Sequence, residues 1–129
     1  MQTADAIRAR RSVRKYKKGA EVPRAQIEKL LEAAMLAPSA VNSRPWEFVA
    51  TDKEEILQKL TEAYPASKML LTASWVIAVC ARPELQPKHN FWQQDCAAAI
   101  ENILLLAADM GVGTCWCHCY PTERRPSAV

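Results

Sequence analysis

FWQQDCAAAIENILLLAADM, residues 91–110, is the stretch on which the fold turns. Ala97, Ala98, Ile100, Ile103, Leu104, Leu106 and Ala107 leave it almost no polar face. A helix that is apolar nearly all round has to be buried. A chain of 129 residues has little material with which to cover it from every side. The sequence therefore predicts one long helix, buried partly against a second copy of the chain. Gly111 is its natural C-cap.

Outward from this helix the elements alternate. Residues 114–120 read as a strand, and from Thr122 onward no core-forming pattern remains. Upstream, residues 82–90 hold two prolines and form a loop. SWVIAVCA, residues 74–81, is almost continuously apolar, which predicts a strand covered on both faces by helices. A short helix is expected over 66–71 after Pro65. Before it, Ile56, Leu57 and Leu60 form the stripe of a helix capped by Asp52. Residues 46–50, WEFVA, read as another strand. Ile27, Leu30, Leu31, Ala34 and Met35 recur at helical spacing, so 24–36 is an amphipathic helix. Pro23 fits its first turn and Pro38 ends it. Residues 38–45 form a loop rich in turn-forming residues. The chain opens with a short helix over about 4–10, capped by Thr3 or a residue nearby, and an extended or looped basic stretch over 12–16.

Length and composition bound the answer further. Half the residues are hydrophobic and about a quarter charged, the balance of one ordinary globular domain. No internal repeat or low-complexity segment is present. The longest apolar run, 75–81, is far too short to cross a bilayer, and the polar start lacks the apolar core of a signal peptide. Five cysteines, three of them crowded into Cys115-Trp-Cys117-His-Cys119, do not form an even disulfide framework. The expectation is a cytoplasmic protein with free thiols and no membrane partner.

The net charge of +3 is modest, but its distribution is uneven. Arg8, Arg10, Arg11, Arg14, Lys15, Lys17, Lys18 and Arg24 crowd the N-terminal stretch. Three readings stay open: a solvated basic face, a nucleic-acid arm, and an anion site for a phosphate. No recognition fold accompanies the second, so no nucleic-acid partner is expected. The planar, bidentate guanidinium suits the third.

Several motifs are set aside. Gly111-Val-Gly113 lacks a third glycine and follows a helix, so it is not a dinucleotide loop. Tight C-x-C spacing without a distant ligand pair is weak as a zinc signal, and no metal ligand is assigned. With only His89 and His118 available, no Ser-His-Asp arrangement emerges.

Two segments remain. In RRSVR, residues 10–14, extended side chains at every second position project to one side, so Arg10, Ser12 and Arg14 are placed to converge on one phosphate, with Arg11 beside them. In PSAVNSRPW, residues 38–46, Ser39, Asn42 and Arg44 offer hydroxyl, amide and guanidinium groups in a proline-flanked loop. Each alone is an ordinary helix-end loop. Together with APSAVNSRPW and AAAIENILLLAADMGVGTCW, in this order and spacing from about Ala6 to Tyr120, the RRSVR stretch resembles the nitroreductase family.

The resemblance implies an α+β, three-layer α/β/α fold with a mainly antiparallel sheet, forming a homodimer with FMN bound between the subunits. It implies an NAD(P)H-dependent flavin oxidoreductase that delivers electrons to a nitroaromatic, quinone or similar small acceptor. Arg10, Arg11, Ser12 and Arg14 would hold the phosphate or ribityl chain. Pro38, Ser39 and Asn42 would frame the ring, some reaching the partner's flavin. Trp116, Cys117 and His118 would pass backbone along the isoalloxazine. The flavin carries the hydride chemistry, so no catalytic side chain is assigned.

Arg44 departs from the glutamine usual before Pro-Trp, and His118 from a usual glycine or glutamate. A cation at either place would favour the anionic reduced flavin. The single domain, 1–129, ends at TERRPSAV, where the resemblance implies a further helix and strand bearing phosphate contacts. Arg124 and Arg125 are candidate replacements for those cations. The alternative function is an inactive flavin-binding or dimerisation protein lacking that part of the site.

Overall fold

The computed structural model describes residues 1–119. Its elements are α1 (Thr3–Ala9), α2 (Arg24–Met35), β1 (Trp46–Thr51), α3 (Glu54–Ala63), β2 (Val76–Ala81) and α4 (Trp92–Asp109), with 3-10 turns at Ala40–Asn42, Pro65–Thr72 and Pro83–Leu85. The fold is α+β. β1 and β2 pair antiparallel, with Trp46 opposite Ala81 and Thr51 opposite Val76.

Alternation along this ribbon explains the core. Trp46, Phe48 and Ala50 face the same side as Ile77, Val79 and Ala81, and all six pack into one cluster with Ile27, Leu30 and Ala34 of α2 and Cys96, Ala99, Ile103 and Ala107 of α4. α4 touches α1, α2 and both strands. Ala34, Ala99 and Ala107 are completely buried. These small side chains let α2 and α4 lie close, and Asn102 Nδ2 donates to Ala33 O across that contact at 2.9 Å.

α4 ends in a Schellman motif. Val112 N–H reaches Ala107 O at 2.8 Å, Gly111 N–H reaches Ala108 O at 3.2 Å, and Gly111 has φ of 71°. Both glycines of the discarded fingerprint thus have structural work: Gly111 turns the chain, and Gly113 leaves room for Val13. A Cβ on Gly113 would stand 3.1 Å from Val13 Cγ1.

Four expectations need correction. Residues 114–119 form no strand; Ser12 and Thr114 make a single parallel bridge, because only one backbone amide of the basic stretch, Val13 N–H, reaches this segment, at Thr114 O (2.8 Å). Tyr120 of that expected strand, with Arg124 and Arg125, lies outside the described residues. β2 is not buried on both faces: its residues are half-buried and Cys80 is exposed, because helices cover one face of the ribbon only. Asp52 does not cap α3, which starts one residue later, with Lys53 at the N-cap and no side-chain cap. Thr3 does not cap α1 either; the helix begins on it, and Gln2 takes the N-cap place.

Candidate functional site

The first expected segment lies beside the chain that leaves α4. Val13 N–H donates to Thr114 O, and Val13 rests on Gly113. The charge of Arg14 is felt at both Tyr16 and Cys117, so residues 10–16 and 112–118 form one locality. Arg11 is exposed and donates to Arg8 O and Arg10 O at 2.6 and 2.8 Å. Arg10 makes a long contact with Glu101, 3.8 Å, on α4. Among the described residues neither Arg11 nor Arg14 has an acidic partner, whereas Arg8 and Arg24 pair with Asp5 and Glu28. Ser12, Arg11 and Arg14 are all exposed.

Side-chain alternation persists over 115–119 without a strand. Trp116 stacks on His118, with ring centroids 4.9 Å apart and planes 19° apart. Cys115 and Cys119 both act on Cys117. Burial, then the neighbouring thiols, push Cys117 above the ordinary thiol range. Among the described residues no group of three or more His, Cys, Asp and Glu side chains is arranged to hold a metal ion.

Burial also raises the Tyr16 hydroxyl from 10.0 to about 12, assisted by Cys115 and Cys117 and opposed by Arg14. The folded value lies above the unfolded one, so this contribution to stability is complete below the unfolded value and disappears as pH rises through the folded one. Denaturant midpoints should therefore fall across that alkaline window in the wild-type protein, and fall less in Tyr16→Phe.

The second segment sits at the other end of α4. Arg44 N–H donates to Ser39 Oγ at 2.9 Å, and Arg44 Nε to Asn42 Oδ1 at 3.1 Å. Arg44 and Asn42 are thus tied to each other, with both side chains exposed. Pro38, Ser39 and Ala40, with Phe91, Gln94, Asp95 and Ala98, line an open cleft of about 380 Å³. Val41, Asn42 and Arg44 have φ of 49°, 55° and 48°. Among the described residues these three are every non-glycine position in the left-handed region. For a β-branched residue this is a true outlier, costing about 1–2 kcal/mol. Val41 is also 82% exposed, so packing within the chain does not offset the cost. Val41→Gly should raise stability by roughly 1 kcal/mol in urea denaturation.

The two segments do not meet within one chain. Among the described residues no hydrogen bond or ion pair joins 10–14 to 38–44. The first reaches α4 at Glu101 and the second at Asp95. Six residues separate these points, about 9 Å along the axis and on different faces of the helix. Sequence reading also missed Asp95 and Gln86, both buried beneath the loop. The available signal was an acid in the first turn of an otherwise apolar helix.

Similarity to known proteins fits this geometry. The sequence profile of the nitroreductase family matches residues 7–73 and 62–127. The chain belongs to the nitroreductase family. A Methanothermobacter thermautotrophicus protein with the provisional name NADH dehydrogenase/NAD(P)H nitroreductase is 43% identical over the full chain, which covers 67% of that relative. A Parabacteroides distasonis structure of the same provisional name superposes with a TM-score of 0.93 at 39% identity, over 100% of this chain and 75% of that one. A Bacteroides fragilis nitroreductase with bound FMN superposes with a TM-score of 0.77 at 29% identity, over 98% and 77%.

Proposed function

We propose that this nitroreductase-family chain is an FMN-dependent oxidoreductase that uses NAD(P)H and works as a homodimer. The observation that carries the reading is the Val13–Thr114 clamp, which brings Ser12 and Arg14, the latter without an acidic partner among the described residues, to the segment of Trp116, Cys117 and His118. These residues fit FMN by chemistry. Exposed guanidinium groups suit a phosphate dianion. The missing Cβ of Gly113 brings the two backbones together.

Arg10, Ser12 and Arg14 would hold the phosphate and ribityl chain, with Arg11 alongside. Pro38, Ser39, Asn42 and Arg44 would border the ring with donors, acceptors and one cation. Trp116, Cys117 and His118 would line it with backbone. FMN, when bound, supplies the hydride and electron chemistry. The protein's part is to bind, orient and exclude water. No acid or base from the chain is required. A nitroaromatic, a quinone or a similar acceptor would then take the electrons. The free thiols support a cytoplasmic setting.

A second copy explains two features together. The phosphate and ring segments lie apart in one chain, and large apolar side chains stand exposed near both, among them Ile7, Met35, Leu36 and Val41. Half-buried Ala97, Ile100, Leu105 and Ala108 add apolar surface on α4. Singly exposed apolar residues are ordinary, but this concentration is a partner surface. Light scattering at micromolar concentration should give twice the chain mass, and a well-folded monomer would refute the dimer.

Turnover is tested by loading the protein with FMN and following anaerobic NADH and NADPH oxidation with a quinone or nitroaromatic. Bleaching of the bound flavin and its return on adding acceptor are expected. Flavin that binds but is reduced by neither nicotinamide would favour a binding or dimerisation protein instead.

A further inference from the structure

Under the 38–45 loop lies a polar knot that the functional reading leaves unused. Asp95, 7% exposed, and Gln86, 3% exposed, sit in the core. Gln86 Nε2 donates to Asp95 Oδ2 at 2.6 Å and to Ser43 Oγ at 2.9 Å. Its Oε1 accepts from Phe91 N–H at 3.1 Å. The other oxygen of Asp95 accepts from Ala40 N–H at 3.1 Å. Ser43 Oγ completes the knot by donating to Ala40 O at 2.8 Å.

The anchored residues, Ala40 and Ser43, bracket Val41 and Asn42, both in the left-handed region. A strained segment persists only where its surroundings over-determine it. Here the surroundings are one buried carboxylate and one buried amide. Among the described residues no cation pairs with Asp95. Hydrogen bonds from Ala40 and Gln86, and its place in the first turn of α4, stabilise the charge. A buried carboxylate balanced by neutral donors is an expensive way to hold a loop, and it specifies one conformation where apolar packing would tolerate several. Asp95 also borders the open cleft beside Ser39 and Ala40, while Asn42 and Arg44 stand exposed above the knot.

We propose that Asp95 and Gln86 are positioning residues that lock the 38–45 loop in the left-handed conformation presenting Ser39, Asn42 and Arg44 to the flavin ring. The inference rests on the functional reading above, and it gives this buried pair the task of holding the loop in shape.

Asp95→Asn leaves one amide hydrogen of the new side chain facing Gln86 Nε2, donor against donor. Gln86→Glu sets two carboxylates together. The double variant, Asp95→Asn with Gln86→Glu, reverses the pair: the asparagine oxygen still accepts from Ala40 N–H, its amide donates to the glutamate, and the net charge is unchanged, while the Ser43 hydroxyl loses the donor it had in Gln86 and must turn from Ala40 O to meet the glutamate. FMN and riboflavin affinities of the full chain would be measured beside thermal melting.

The single variants should weaken FMN and riboflavin alike, by roughly tenfold, and the double variant, which restores the 86–95 pair but not the bond to Ser43, should recover part of that loss. Equal loss for both ligands marks the ring side. Should Asp95→Asn fail to fold, Gln86→Met, which keeps the side-chain bulk, and the double variant carry the same comparison. Single variants that bind both flavins as the wild type does would overturn the inference. So would a loss confined to FMN, or a double variant no better than the singles. A wild-type protein that binds neither flavin would instead remove the functional reading, and this inference with it.

Discussion

Leu30→Ala is expected to destabilise the protein by about 3 kcal/mol, within the range of about 2–5 kcal/mol found for buried leucines. Leu30 lies on the inner face of α2, is 2% exposed, and belongs to the cluster that joins α2, α4 and the ribbon. Its removal leaves a cavity that the neighbouring elements cannot readily fill. Ala34, Ala99 and Ala107 already bring the helices together, and helix backbones do not collapse further to close a void. Leu30→Met, which conserves volume, should cost less than about 1.5 kcal/mol. Urea denaturation of the two variants at equal protein concentration checks the difference. An alanine variant as stable as the methionine variant would show that the core is not centred on this contact.

Arg10→Ala should weaken FMN by roughly ten- to a hundredfold, because a charge-assisted hydrogen bond to phosphate is worth about 1.5–3 kcal/mol. Riboflavin, which lacks the phosphate, should be affected much less. Among the described residues Arg10 has Glu101 as its acidic partner, at 3.8 Å, with both side chains partly exposed. Pairs of this kind contribute about 0–1 kcal/mol, so a phosphate competes with Glu101 easily. Glu101→Gln should accordingly tighten FMN slightly, by at most about fivefold. Fluorescence titration with both flavins reads these effects. Equal losses for FMN and riboflavin in Arg10→Ala would take Arg10 away from the phosphate.

Much of this architecture was legible before any coordinates. The apolar run of α4, the helical spacing of Ile27, Leu30 and Ala34, and the two strands meet their expected places within one or two residues. These elements declare themselves because periodic burial writes itself into residue type. What escaped depends on partners distant in sequence. Residues 114–119 have strand-like composition, yet backbone pairing needs a neighbour, and the described residues supply one bridge. Val41 gave no hint of a left-handed backbone, since the residues that usually mark such a turn are glycine and asparagine. Its conformation is imposed from below by Asp95 and Gln86, 54 and 45 positions away in sequence by subtraction of their numbers. The RRSVR stretch stood out in the sequence, and what the sequence did not show is that Val13 packs on Gly113 and so brings this stretch to the segment after α4. That the 38–45 loop lies on another face of α4 was not legible, because chain spacing says nothing about which face of a helix a loop will cross.

The most direct test is a titration of the flavin-free protein with FMN, monitored by flavin fluorescence and followed by light scattering of the saturated sample. Saturation at one FMN per chain, in a particle of twice the chain mass, is the predicted result. No binding of FMN, or saturable binding by a particle of single-chain mass, would contradict an FMN site assembled from two copies.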